Sequence, residues 1–189
     1  MIAFVSGGAR SGKSRCAEGL AHEWQAARGG ERVYLATARA ADAEMDARIA
    51  RHRRERGDGW RTLEAPPALD AALAEVGGRD TVLLDCLTLW ASQWLYAGGG
   101  SEAEGEAMLA RVIETARARD IALVVVSNDL NEDLPPSDGE TRRYLAFLQR
   151  LHIRLAREAD RVQEAVAGLP LEWKAIDREP DDGGRETTP

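Results

Sequence analysis

The residues with the most chemistry in this 189-residue chain stand near its start, at Gly7-Gly8-Ala9-Arg10-Ser11-Gly12-Lys13-Ser14. The run fits GxxxxGK[ST] at every fixed position, and each position has a physical task. Glycines let the backbone curl until successive N–H groups point at one phosphate. Lys13 brings positive charge to the β and γ oxygens of a nucleotide, and the Ser14 hydroxyl reaches Mg²⁺. A helix starting near Lys13 adds the positive end of its dipole. A chance Gly-rich turn is the bland alternative. The flanks disfavour it, because an apolar run, Ile2–Val5, leads in and a helix-forming run leads out. A second element points the same way: Thr81-Val82-Leu83-Leu84-Asp85 is an apolar strand run ending in a carboxylate. Asp85 either binds the metal of a phosphate site or caps the helix beginning at Cys86 or Leu87. Beside a phosphate loop, the metal role is the better account.

Of the three histidines, His22 and His152 lie inside helical runs, where a structural or surface role is the default. His52 differs, standing in Arg48-Ile49-Ala50-Arg51-His52-Arg53-Arg54-Glu55-Arg56. On a helix, Arg48 and Arg56 fall one turn to either side of it on the same face. Two readings are open on the residues alone. Charge runs are commonly solvated helix faces. Alternatively, neighbouring cations hold an imidazole neutral and nucleophilic while stabilising a phosphate under attack.

These groups need a scaffold. Ile2–Val5, Val33–Ala36, Thr81–Leu84 and Ile121–Val126 read as strands, apolar without strict alternation, as parallel strands covered on both faces are. Between and after them lie helical patterns at 13–28, 42–56, 68–76, 87–96, 103–119 and 142–159. Strand alternating with helix implies right-handed crossovers and a three-layer α/β domain with a mainly parallel central sheet. Arg161–Val166 and Leu171–Ile176 are expected as two short final strands, with Gly168 and Pro170 marking the turn. One catalytic domain over residues 1–176 is expected, followed by an acidic tail, 177–189, too poor in apolar residues to order.

Composition narrows the class. A hydrophobic share of 44% with 30% charged residues is ordinary for a globular chain. A net charge of −7 argues against a general nucleic-acid binder. Two cysteines, Cys16 and Cys86, outside any CxxC pair, indicate neither a disulfide framework nor a zinc site. No apolar stretch reaches the roughly 18–20 residues of a membrane span, and the start lacks the features of a signal peptide. A cytoplasmic protein is expected. Trp90, Trp94 and Tyr96, on a helix with few charges, form either a core stripe or an exposed patch; a subunit interface is the preferred reading.

Taken together, the motifs resemble one family, the bifunctional adenosylcobinamide kinase/adenosylcobinamide-phosphate guanylyltransferases of the CobU/CobP type. The likeness runs through GGARSGKS, Tyr34-Leu35-Ala36-Thr37-Ala38, Asp42, Glu44-Met45 and Arg48-Ile49 with His52. It continues through Trp60-Arg61-Thr62-Leu63-Glu64 and Leu84-Asp85-Cys86-Leu87-Thr88, and so covers about half the chain. It implies a P-loop NTPase that phosphorylates adenosylcobinamide with ATP or GTP. It then implies transfer of GMP from GTP through a phosphoramidate on His52, which favours the nucleophile reading. By the same resemblance Lys13 is catalytic, and Gly7 to Ser14, Thr37, Ala38, Arg39, Arg53, Arg54, Glu55, Arg56, Glu64 and Asp85 contact nucleotide. Ser14 and Asp85 hold Mg²⁺, and the subunits form a homo-oligomer. Asp85 stands where many members carry Glu. Asn128-Asp129-Leu130 and the residues to 136 replace a segment like NEVGxGIVP, and Gln149-Arg150-Leu151-His152-Ile153 replaces one like GRxNQ. A kinase without nucleotidyl transfer, or a nucleotide-dependent switch, are the competing functions; neither gives His52 a role.

Overall fold

Seven strands lie in the order β3-β2-β4-β5-β1-β6-β7, parallel throughout except for the β6–β7 pair. The computed structural model describes residues 1–38, 43–65, 67–130 and 137–176, without the side chains of residues 43–46, 48, 49 and 55. The tail at 177–189 and the segment 131–136 therefore lie outside the described residues. The strands are β1 Ile2–Ser6, β2 Arg32–Ala36, β3 Trp60–Glu64, β4 Thr81–Asp85, β5 Ala122–Val126, β6 Arg161–Val166 and β7 Leu169–Ala175. The helices are α1 Lys13–Arg28, α2 Ala43–Arg56, α3 Leu69–Ala74, α4 Leu87–Ser92, α5 Glu102–Ala118 and α6 Gly139–Glu158.

Handedness assigns the layers. The crossovers β1 to β2 and β2 to β3 step the same way along the sheet, so right-handed connections put α1 and α2 on one face. The later crossovers step back, which puts α3 to α6 on the other. Strand alternation feeds both faces. Ala3, Val5, Leu83, Ala122, Val124 and Val126 pack under Ala17, Leu20, Ala21 and Trp24 of α1. Ile2, Phe4, Val33, Leu35, Val82, Leu84, Leu123 and Val125 pack against Leu69, Leu109, Ile113, Phe147 and Leu151 of α3, α5 and α6. Burial on both sides explains why these strands read as unbroken apolar runs.

Several expectations change. Strand β3 was not foreseen, because WRTLE carries two charged residues and lies at the sheet edge, with no apolar run to mark it. Helix α6 starts at Gly139 and not Arg142, since Asp138 caps it by accepting from the N–H groups of Glu140 and Thr141 at 3.3 and 2.7 Å. The expected helix 87–96 ends at Ser92 and passes into a π-turn, Gln93–Ala97, closed by a Gly98 N–H to Gln93 C=O bond of 2.8 Å. There Gln93 Nε2 donates to Thr37 O at 3.0 Å and Trp94 Nε1 to Ser101 O at 2.9 Å, side-chain bonds that reward the wider turn. Trp90 is 1% exposed, its indole donating to Pro67 O at 2.8 Å, so it belongs to the core and not to an interface. Trp94 packs against that core, and only Tyr96 is open to solvent. Pro170 lies within β7, and the hairpin turns at Ala167-Gly168, both with positive φ.

Candidate active site

The phosphate loop leaves β1 at the carboxyl edge of the sheet, where ligands of parallel α/β sheets bind. Gly7, Arg10 and Gly12 take φ of 154°, 59° and 89°, bending the loop over the start of α1. At Gly12 a Cβ would come within 2.8 Å of Gly168 Cα, so the position has no room for a side chain. The β6–β7 turn braces the loop from that side, Gly168 N–H donating to Ser11 O at 2.7 Å. From the other side, Ser127 N–H donates to Val5 O and Asp129 N–H to Gly7 O, each at 3.0 Å. Lys13 Nζ reaches back to Gly8 O at 3.0 Å, and Ser14 opens α1 half-buried.

Asp85 ends β4, separated from β1 by β5 alone. Leu83, two residues earlier, packs under α1, so strand alternation turns Asp85 toward the face that α1 and Ser14 occupy. Its Oδ2 accepts from the Tyr34 hydroxyl at 2.6 Å. Burial, and then the carboxylate beside it, push the Tyr34 phenol well above its ordinary value, so it keeps its proton and donates. Among the described residues no cluster of three His, Cys, Asp or Glu side chains could hold a metal by itself. One hydroxyl and one carboxylate beside a phosphate loop suit Mg²⁺, an ion completed by substrate phosphates and water.

Thr37 proves to be a brace. It is 1% exposed, its hydroxyl accepts from Cys86 N–H at 2.8 Å, and it faces the Asp85 and Cys86 carbonyls at 3.0 and 3.1 Å. Its side chain ties the end of β2 to the end of β4. Ala38 follows at the same edge, half-buried, and Glu64 ends β3 exposed. From β3 to β1 this edge spans four strand spacings, about 19 Å. Arg39 lies outside the described residues, as do the side chains of Glu55 and Arg48.

His52 is half-buried on α2, beside exposed Arg53 and Arg54. Arg56, one turn further along, packs against the sheet. At 9% exposure its guanidinium lies 3.4 Å from the Tyr34 ring centroid and 5.7 Å from that of Trp60, and Nη2 donates to Thr62 Oγ1 at 3.3 Å. A planar, weakly hydrated cation on the last turn of α2 meets two aromatic faces of β2 and β3, and stacks there.

Sequence reasoning assigned no role to Tyr34 or Thr62, though both lie inside quoted motifs. It also passed over a polar chain behind the loop. Thr88 Oγ1 accepts from Asn128 N–H at 2.8 Å and pairs with Ser127 Oγ at 2.8 Å, which pairs with His152 Nε2 at 2.7 Å. Burial pushes the His152 imidazole down to about 4, opposed by Asp129, so at neutral pH the ring is uncharged. The chain fixes the end of β5 next to the phosphate loop. Its only sequence signal is polar residues within otherwise apolar runs.

Residues 3–173 match the sequence profile of the family described as cobinamide kinase / cobinamide phosphate guanyltransferase. The bifunctional adenosylcobalamin biosynthesis protein CobP of Pseudomonas aeruginosa is 40% identical over 172 aligned positions, spanning 90% of this chain and 96% of that protein. The corresponding CobU proteins of Escherichia coli and Salmonella typhimurium are 31% and 33% identical, each over 92% of this chain and all of their own length. With the profile and three full-length relatives agreeing almost end to end, the chain belongs to the cobinamide kinase / cobinamide phosphate guanyltransferase family.

Proposed function

We propose that this protein phosphorylates adenosylcobinamide and then converts the product to adenosylcobinamide-GDP, passing GMP through His52. In the first step the aminopropanol hydroxyl attacks the γ-phosphorus of ATP or GTP. The bond from that phosphorus to the β-bridging oxygen breaks, the nucleoside diphosphate leaves, and the hydroxyl proton passes to solvent. Backbone N–H groups of residues 7–14 and the Lys13 ammonium hold the phosphates and take up the charge that develops on them. Ser14 and Asp85 would hold Mg²⁺, which supplies further charge neutralisation on the phosphate oxygens.

In the second step a ring nitrogen of His52 attacks the α-phosphorus of GTP, and pyrophosphate leaves as the Pα–O bond breaks. The phosphate oxygen of the corrinoid then displaces the imidazole, breaking the N–P bond and freeing His52. Two in-line displacements replace one difficult transfer. Arg53 and Arg54, exposed beside His52, would bring positive charge to the α-phosphate, and Glu64 and Ala38 lie along the edge the nucleotide would follow. The reading is carried by one observation: the helix bearing His52 lies on the same face of the sheet as the helix that the phosphate loop opens.

A homo-oligomer is proposed on the evidence of the β6–β7 hairpin, where Val166, Leu169, Leu171 and Trp173 are exposed on an edge that, among the described residues, pairs with no further strand. Its need for GTP and ATP fits a cytoplasmic enzyme, and among the described residues no helix is long and apolar enough to cross a membrane. The acidic net charge is unsuited to nucleic acid.

The test uses GTP labelled at the α-phosphate, with Mg²⁺, on wild type and His52→Ala. Label that survives denaturation, is lost in acid and is kept in base is expected on the wild type alone. An unlabelled wild type that still binds GTP would reduce the protein to a kinase.

A further inference from the structure

The carboxyl end of β5 stands between the two halves of the phosphate site. Within the sheet, β5 separates β1, which feeds the phosphate loop, from β4, which ends in Asp85. Two strand spacings, about 10 Å, lie between loop and carboxylate, a gap that the γ-phosphate and Mg²⁺ of the proposed function would fill. The β1–β5 ladder runs on into that gap. Ser127 N–H donates to Val5 O and Asp129 N–H to Gly7 O, each at 3.0 Å, the even step of parallel pairing. Strand alternation therefore runs on as well. Val124 and Val126 pack under α1, and Leu123 and Val125 pack on the opposite face. Ser127 follows the second set, its hydroxyl bonded to Thr88 of α4 and His152 of α6. Asn128 then falls on the face of α1, shared with Asp85 and Ser14. Val126, paired in register with Asp85, is wholly buried. Asn128 is thus the first side chain of β5 on that face to reach the rim, where it is half-buried.

From this placement we infer that Asn128 is a further catalytic residue of the phosphoryl-transfer step, its side-chain amide donating a hydrogen bond to an oxygen of the γ-phosphate. The inference rests on the kinase half of the proposed function and needs nothing of the guanylyl half. Lys13 and the metal supply charge there, and a neutral amide adds a directed bond without competing for the ion. As the γ-phosphoryl group passes to the acceptor hydroxyl, charge is spread over its equatorial oxygens, where a fixed donor stabilises it. The bonds made and broken are unchanged, because Asn128 keeps its protons and only holds the oxygen. Its backbone is fixed on both sides. Asn128 N–H donates to Thr88 Oγ1 at 2.8 Å, and the N–H groups of Ser127 and Asp129 are held by β1 and the loop. A side chain carried on so rigid a base loses little freedom on meeting the phosphate.

The test compares Asn128→Ala and Asn128→Asp with wild type in two assays, both with Mg²⁺. One is calorimetric binding of the β,γ-imido analogue of ATP and, separately, of ADP. The other is the rate of ATP-dependent phosphorylation of adenosylcobinamide. Asn128→Ala should weaken the triphosphate analogue about tenfold or more and leave ADP within about twofold, the loss of one hydrogen bond to a charged group. Phosphoryl transfer at saturating ATP should slow about a hundred-fold, as when one donor to a developing charge is removed. Asn128→Asp keeps the size and shape of the side chain but turns a donor into an anion facing the γ-phosphate. It should therefore bind the analogue more weakly than Asn128→Ala, whereas a side chain that only packs would leave Asn128→Asp close to wild type. Analogue affinity equal to wild type in both variants would overturn the inference, as would ADP weakened in step with the analogue. If Asn128→Ala folds poorly, Asn128→Asp decides alone with the same two ligands. If the wild type leaves adenosylcobinamide unphosphorylated, the kinase reading fails for that acceptor, and the binding comparison still decides the role of Asn128.

Discussion

His152 shows how one residue ties stability to pH. Its Nε2 sits 2.7 Å from Ser127 Oγ in a buried chain, and burial lowers its pKa to about 4 from an ordinary 6.5. In the unfolded chain the imidazole takes up a proton as pH falls through 6.5, whereas in the folded protein it does so only near 4. Between those values the unfolded state binds more protons, so stability falls as pH falls, and above 6.5 this group has no effect. From pH 7 to pH 4.5 the loss from His152 should be about 2–3 kcal/mol. Urea denaturation at the two pH values should show that loss in wild type and not in His152→Gln, and equal losses in both would remove His152 as the source. The same scale separates Lys13 and His52, to which the proposed function assigns the chemistry, from Thr37, whose hydroxyl ties β2 to β4.

Among the elements, α5 carries an instructive cost. Gly105 sits inside it, where Ala would ordinarily favour the helix by about 1 kcal/mol. A Cβ there would stand 2.5 Å from Phe147 Cζ, and Phe147 is wholly buried between α5, α6 and the sheet. Overpacking of such a ring costs about 1–3 kcal/mol, so Gly105→Ala should be destabilising by about 1 kcal/mol net and lower Tm by a few degrees. A rise in Tm would mean that Phe147 can move. The capping box of Ser101 and Glu104 starts this helix, Ser101 N–H donating to Glu104 Oε2 at 2.9 Å and Glu104 N–H to Ser101 Oγ at 3.3 Å. With Trp94 held on Ser101 O, it fixes where the π-turn hands the chain to α5.

At the scale of the molecule, the sheet ends in an apolar margin. Leu169, Leu171 and Trp173 alternate along β7, with Leu169 72% and Trp173 67% exposed. A strand edge with such a face is what a further copy of the chain would cover. Leu169→Asp combined with Trp173→Asp should therefore lower the mass measured by light scattering at micromolar concentration. A wild type already monomeric at that concentration would remove the interface. Because Gly168, at the head of the same hairpin, bonds Ser11 of the phosphate loop, the double variant should also report whether assembly steadies nucleotide binding.

Much of this was legible in the chain itself. Local backbone chemistry dictates the phosphate loop, since Gly7 and Gly12 take φ values that side chains rarely adopt and a helix must follow to lend its dipole. Unbroken apolar runs dictate parallel strands covered on both faces, and the spacing of RIxxH from WRTLE points to the family. Tertiary structure alone decided what depends on which surfaces meet. It made WRTLE an edge strand, because pairing with β2 supplies the hydrogen bonds that local pattern does not advertise. It took Trp90 into the core and Thr37 into the junction of β2 and β4. It also turned Arg56 away from solvent onto Tyr34, two residues 22 positions apart in sequence whose contact exists only once the strands are aligned. Periodicity says which face a residue shares with its own neighbours, but not what the opposite element brings to it.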